Sequence, residues 1–198
     1  IREIKKRKNS IASIRQLTKA MELVSTVKLQ KTKKNANDSK PYFIQLHAVI
    51  SSILSKTKEP DCKYLRQPIS KTKAVIVMTS NRGLAGGYST DVAKLITEKD
   101  WKKEELEIYT VGKKGREVLE KKGYKMIKDY SKIIQTPDYE EAKKITDILL
   151  QKFSDGTIAE LYLAYTSFKN TVIQKPNLIR LLPITMPVAE NEKETVSI

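Results

Sequence analysis

Apolar positions in the first third of the chain repeat at helical spacing. Ile1, Ile4, Ile11, Ile14, Leu17, Met21 and Val24 are separated by 3, 7, 3, 3, 4 and 3 residues, and the row resumes at Phe43, Leu46, Ile50, Ile53 and Leu54. So narrow a stripe is a coiled-coil seam rather than one wall of a broad core. No glycine occurs between Ile1 and Arg82, and Pro41 is the only proline before Pro60. The pattern therefore predicts one helix over residues 1–57, short of one hydrogen bond and open to a bend at Pro41. At ~1.5 Å per residue it would run roughly 85 Å. That is longer than any domain the chain could build, so the seam calls for a partner helix. Residues 30–40 are almost purely polar and need no core.

Residues 58–72, with Pro60 and Pro68 around Cys62, read as a linker. Beyond them the period changes. Ala74 to Met78 is a short apolar run of the kind that forms a strand buried on both faces. Asp91 to Lys99 suits a helix with Ser89 or Thr90 as its cap. Leu106 to Val111 reads as a second strand, Lys113 to Lys122 as a helix stopped by Gly123, and Lys125 to Tyr130 as a third strand. Thr136-Pro137-Asp138 reads as a cap, a first-turn proline and an acid. It opens a helix to about Phe153, with Ala142, Ile145 and Leu149 turned inward. Ile158 to Phe168 and Val172 to Leu182 read as an antiparallel pair. Alternating strands and helices predict a mostly parallel sheet covered on both faces, over residues 73–188. The polar tail 189–198 reads as frayed.

Charge narrows the function classes. The net charge is +15, and residues 1–40 hold +9 of it. A basic rod attracts nucleic acid, anionic lipid or an acidic protein. No apolar run approaches the roughly 20 residues of a membrane span, and no signal peptide is visible. One cysteine, Cys62, and one histidine, His47, rule out an internal disulfide, a cysteine zinc site and a histidine-rich metal site. No Ser/His/Asp or Cys/His constellation can be assembled. Glu140-Glu141 sits in the first turn of a helix, where acids complement the dipole.

The loop Arg82-Gly83-Leu84-Ala85-Gly86-Gly87-Tyr88 follows the first strand and precedes a helix, where nucleotides bind in doubly wound sheets. Its spacing is not G-x-G-x-x-G, and Tyr88 stands where a phosphate loop needs lysine and then Ser/Thr. Arg82, Gly83, Gly86 and Gly87 therefore read as a structural turn, glycine serving positive φ and close packing. The basic groups Lys5-Lys6-Arg7-Lys8 and Lys28, Lys31, Lys33, Lys34 could grip phosphates. Aromatic residues are absent from residues 1–41, which argues against stacking on single strands.

The segment Ile11-Ala12-Ser13-Ile14-Arg15-Gln16-Leu17-Thr18-Lys19-Ala20-Met21-Glu22-Leu23-Val24-Ser25 resembles the N-terminal helix of the gamma subunit of F-type ATP synthase. Pro41-Tyr42 has a counterpart in bacterial members. Ser80-Asn81-Arg82-Gly83-Leu84-Ala85-Gly86-Gly87-Tyr88 is similar to the family's second signature, which usually carries Asp at the position of Asn81 and often Cys at that of Ala85. The resemblance covers the whole chain. It implies a long coiled-coil helix joined to a Rossmann-like α/β domain with a mostly parallel sheet. It also implies a rotor: torque passes between the membrane c-ring, driven by protons or sodium, and the catalytic hexamer of alpha and beta subunits. Implied partners are those subunits, the epsilon subunit, the c-ring and the subunit's own C-terminal helix, with no nucleic acid, no cofactor and no bond chemistry in this subunit. Membrane contact would come only through partners, at the cytoplasmic face of the bacterial plasma membrane. Arg15, Lys19, Met21, Glu22 and Val24 match the segment facing the acidic lever of the beta subunit, while Glu22 could instead pair with Lys19 or the partner helix. Ile4, Ile11, Ile14 and Leu17 belong to the seam.

The chain stops at Ile198, where the family is about to enter its C-terminal helix. The expectation is an uncovered stripe that self-associates or frays. Three other readings compete: a basic coiled-coil nucleic-acid-binding protein, a nucleotide-dependent enzyme using the glycine loop, and a generic coiled-coil scaffold.

Overall fold

The computed structural model describes residues 2–57, 62–66, 68–135, 137–171 and 173–185. Ile1, Pro60, Thr136, Val172 and the tail 189–198, all used in the sequence reading, lie outside the described residues. The chain divides into two units, residues 1–53 and 54–198.

The first unit is helical. Helix α1 runs Arg2–Lys56, with Glu3 in its first turn, Lys56 in its last and Pro41 inside it. The helix therefore continues through the proline. None of its residues is buried. Its hydroxyls fold back on the helix: Ser13, Thr18, Ser25, Thr26 and Ser39 each donate to the carbonyl four residues earlier, at 2.7–3.1 Å.

The second unit is an α/β sandwich. Its strands are β1 Lys73–Met78, β2 Leu106–Val111, β3 Met126–Asp129, β4 Glu160–Phe168 and β5 Gln174–Leu182, in the order β3-β2-β1-β4-β5. The first four are parallel and β5 runs antiparallel to β4. Helices α2 (Tyr88–Thr97) and α3 (Lys113–Lys121) cover one face through Val92, Ala93, Ile96 and Leu119, against Val75, Val77, Ile108 and Ala164. Helix α4 (Tyr139–Ser154) covers the other through Ile145, Leu149 and Phe153, against Ala74, Tyr109, Leu161 and Leu182. Alternate residues of β1 serve the two layers, which is why its sequence is continuously apolar. The chain turns outward from β1 to β3, then crosses back to lay β4 on the far side of β1.

Three local expectations change. Helix α2 begins at Tyr88 behind Gly87, with no side-chain cap. Ser89 is buried inside it, its hydroxyl 3.0 Å from that of Ser80, so neither Ser89 nor Thr90 caps the helix. Helix α4 begins at Tyr139 with Asp138 as cap residue and no side-chain cap bond, so Pro137 precedes the helix. Ala142 is exposed, as is Tyr139 at 75%. The first turn of α4 stands clear of the core, and the inward row starts one turn later at Ile145. Strand edges also shift: β3 is shorter than residues 125–130, and β4 starts at Glu160 rather than Ile158.

The segment after residue 61 is stitched to this unit. Tyr64 packs beside the α4 layer and its carbonyl accepts from the Ile184 amide at 2.9 Å. Thr72 accepts from Ala159 at 2.7 Å, and the Ser70 hydroxyl donates to the Thr157 carbonyl at 3.0 Å.

Candidate interaction surfaces

Two surfaces hold the residues singled out from the sequence. On α1, Ile4, Ile11, Ile14, Leu17, Met21 and Val24 are all open, from 53% at Met21 to 72% at Ile4. At ~100° per residue, Arg15, Lys19 and Glu22 share a face set about 160° round the axis from Leu17, Met21 and Val24. The helix thus separates an apolar row from a charged one. Met21 falls in the first, apart from Lys19. Among the described residues no ion pair joins Glu22 to Lys19.

The second surface is the loop between β1 and α2. Residues 82–87 are exposed. Gly86 takes φ +60°, and so, nearly, does a leucine: Leu84 stands at +62°. Left-handed φ is uncommon for a non-glycine residue. Gly83 and Gly87 do not use it. A Cβ at Gly87 would come within 2.7 Å of the Asp91 carboxylate, which would have to swing aside.

What fixes the base of this loop is a set of bonds to the start of α3. A helix leaves its first amides without partners, and the cap residue of α3 is Gly112, which has no side chain to offer. The end of β1 supplies the acceptors instead. The Lys113 amide donates to Asn81 Oδ1 at 3.0 Å, the Lys114 amide to the Ser80 carbonyl at 3.0 Å, and the Gly115 amide to Thr79 Oγ1 at 2.9 Å. So close an approach requires glycine at 112: its φ is +129°, and a Cβ there would lie 2.1 Å from the Thr79 carbonyl oxygen.

Asn81 also reaches the third loop, its Nδ2 donating to the Ser131 carbonyl at 2.7 Å. Ser131 donates its amide to Asp129 Oδ1 at 2.8 Å and its hydroxyl to the same oxygen. Arg116 closes the chain on Asp129 Oδ2 at 2.5 Å. Burial pushes the Asp129 carboxyl up, but the Ser131 bonds and then the Arg116 charge outweigh it, and the group sits below its ordinary value. One amide side chain therefore ties together the loops after β1, β2 and β3. The sequence reading missed this, and its only outward sign was a side chain able to donate and accept at the end of a strand.

The arrangement leaves little for a small ligand. The recess beside the loop, lined by Ser80, Arg82, Leu84, Lys114, Glu117 and Lys121, has a volume of 150 Å³. Ligand pockets begin at roughly 300 Å³. Among the described residues no group of three or more His, Cys, Asp or Glu could hold a metal ion. His47 is exposed beside Ser51 and Phe43, and Cys62 is free and half-buried. None of the described helices is long and apolar enough to cross a membrane.

Comparison with known proteins follows the same line. The sequence matches the family described as ATP-synt, ATP synthase, over residues 1–198. The ATP synthase gamma chain of Lachnoclostridium phytofermentans is 48% identical over 194 residues, covering 98% of this chain and 67% of that one. That of Alkaliphilus metalliredigens is 36% identical over 184 residues, covering 93% and 64%. The sodium ion specific ATP synthase gamma chain of Acetobacterium woodii is 36% identical over 185 residues, covering 93% and 61%. The chain thus spans about two thirds of the length of these relatives. A chain of the central stalk and c-ring structure of Tetrahymena thermophila mitochondrial ATP synthase superposes with a TM-score of 0.57 at 22% identity, over 84% of this chain and 72% of that one. At that identity the likeness speaks for the fold.

Proposed function

This chain belongs to the ATP synthase gamma-subunit family, and from that premise we propose that it forms part of the central-stalk rotor, carrying torque between the c-ring and the alpha/beta hexamer. The observation that carries the reading is the apolar row of α1, open along a helix of 55 residues. Such a row needs a second helix, and we assign that role to the C-terminal part of the subunit, within the third of the relatives' length that this chain does not span. Paired, the two helices make a shaft stiff enough to transmit torque. The charged face of Arg15, Lys19 and Glu22 then stays outward, toward an acidic lever of the beta subunit, where opposite charge favours approach.

In this reading residues 1–57 are the shaft, 58–72 connect it to the α/β domain at 73–188, and 189–198 lead on to the second helix. The subunit has no catalytic or cofactor-binding residue of its own; the glycine loop is a structural turn. Its partners are the alpha, beta and epsilon subunits and the c-ring, and it meets the cytoplasmic face of the bacterial plasma membrane only through them. The coupling ion in this reading is a proton or sodium; one relative is named as sodium ion specific. Membership of the family displaces the nucleic-acid alternative.

The test is a pull-down of the tagged, full-length subunit from detergent-solubilised membranes of its own cells. Alpha, beta and epsilon subunits should co-elute with ATPase activity. Recovery of nucleic acid, or of the subunit alone, would overturn the proposal.

A further inference from the structure

Strand β4 runs parallel to β1 and antiparallel to β5, so β1 and β4 begin, and β5 ends, at one end of the sheet. The chain comes from α1 into β1 at this end, and from β5 it leaves the sheet there. In the rotor reading these two segments are the covalent connections of the α/β domain to the two helices of the shaft. Lys73 opens β1, Glu160 opens β4, and Arg180 lies two residues before the end of β5. Glu160 stands on the middle strand of the three, and each of its carboxylate oxygens takes one cation. Oε2 accepts from Lys73 Nζ, and Oε1 pairs with Arg180 Nη1 at 3.6 Å. The Glu160 side chain is only 12% exposed. Trp101 stands beside the cluster, 4.9 Å from the Tyr162 ring and 6.0 Å from the Lys73 ammonium.

The backbone ladder alone does not hold this corner. Register between β4 and β5 shifts between Leu161 and Tyr162, opposite Leu182 and Arg180, and such a shift interrupts the pairing locally. On the other face of the sheet Tyr64, Leu182 and Ile184 pack into the α4 layer, and the Ile184 amide donates to the Tyr64 carbonyl at 2.9 Å. The incoming and outgoing segments are thus tied on both faces, by apolar packing on one and by an ion triad on the other.

We infer that Glu160 is a positioning residue for torque transfer: it clasps the strand entered from α1 to the strand left toward the second helix, so that both connections turn with the domain. A free linker at residues 58–72 would swivel and lose twist that a clasped root passes on. A carboxylate suits the task because its two oxygens can serve two donors at once. An exposed ion pair would hold too weakly. A pair largely out of water is screened less, and removing the shared acid leaves two cations side by side with nothing between them.

The inference rests on the rotor reading. Full-length subunit carrying Glu160→Gln, which keeps the shape and removes the charge, is assembled into the ATP synthase complex in lipid vesicles. Uptake of the coupling ion per ATP hydrolysed should fall about two-fold or more. Glu107→Gln is the control: its pair with Lys152 is similarly sheltered, but it ties β2 to α4, away from both connections. It should leave the ratio at the wild-type value, although it too loosens the domain. Arg180→Gln, which keeps the pair of Lys73 and Glu160, should lower the ratio in the same direction, and carries the test if Glu160→Gln does not assemble. An unchanged ratio in these variants would overturn the inference. So would an equal fall in Glu107→Gln, which would reduce Glu160 to a stabiliser of the sheet. Failure of the wild-type subunit itself to assemble would instead overturn the rotor reading.

Discussion

Leu17 and Leu149 are the same residue on two amphipathic helices, and they live differently. Leu149 on α4 is fully buried against the sheet, while Leu17 on α1 is 63% exposed. The α/β unit supplies its own core from both faces of one sheet. The rod carries an apolar row that no described residue covers. Local sequence pattern is equally clean in both, so pattern alone does not say who completes the packing. Length does: a helix of 55 residues outruns any surface its own chain can offer.

The largest break in this contrast comes from the sheet side. Leu149→Ala should destabilise the α/β unit by about 2–5 kcal/mol, since it removes buried methyl groups and leaves a cavity; urea unfolding followed by tryptophan fluorescence of Trp101 reads this. A loss below 1 kcal/mol would mean that α4 is not packed as described.

Asn81→Asp tests the tie between loops. The new carboxylate still accepts from Lys113, but it faces the Ser131 carbonyl with no proton to give. A loss of about 1–2 kcal/mol is expected at neutral pH, measured by thermal melting. The family resemblance, with aspartate usual at this position, makes a wild-type-like melt the outcome that would count most against the tie.

Asp129 adds a pH arm. Its carboxyl is held below the ordinary value by Ser131 and Arg116 against the upward push of burial. A depressed folded-state value stabilises above the unfolded pKa of ~3.9 and loses that contribution as pH falls through the folded one. Wild type should therefore lose stability below about pH 4 more steeply than Asp129→Asn, which should itself be less stable by about 1 kcal/mol at pH 7. Parallel acid-unfolding curves would remove Asp129 from the account.

The smallest effect belongs to the rod. Leu17→Ala in the chain as given should change stability by less than about 0.5 kcal/mol, because alanine favours helix and nothing covers Leu17 here. Its helical circular dichroism should not fall. In the full-length subunit the same change should cost several-fold more, and equal effects in both would mean that no helix completes the seam.

Much of this was legible beforehand because it rests on period and punctuation. The continuous run in β1, the Gly123 stop after α3 and the antiparallel return of β5 follow from residue order alone. The helix starts were not legible. Ser89 and Thr90 look like caps, yet α2 starts behind Gly87 with no side-chain cap bond; Pro137 looks like a first-turn residue, yet α4 starts behind Asp138; and the capping of α3 comes from residues more than thirty positions away, just past β1. Ala142 has the right phase for the core and lies one turn too early. The candidate surfaces divide in the same way: the apolar row of α1 could be read, whereas Leu84 stands out only once its φ is known.

The hydroxyls of α1 carry a last consequence. Five serines and threonines along the rod donate their one proton to their own helix. A group whose proton is already engaged offers a neighbour only an acceptor. Among the remaining polar side chains of the rod, lysine, a mobile cation on a flexible stem, is the commonest. In the proposed rotor, a shaft with that skin would attract its bearing over several ångströms while making few short, directional contacts to break at each step, so the energy around the circle would be shallow. The back-bonding that makes these residues mediocre helix formers would then also keep the surface from sticking in one pose.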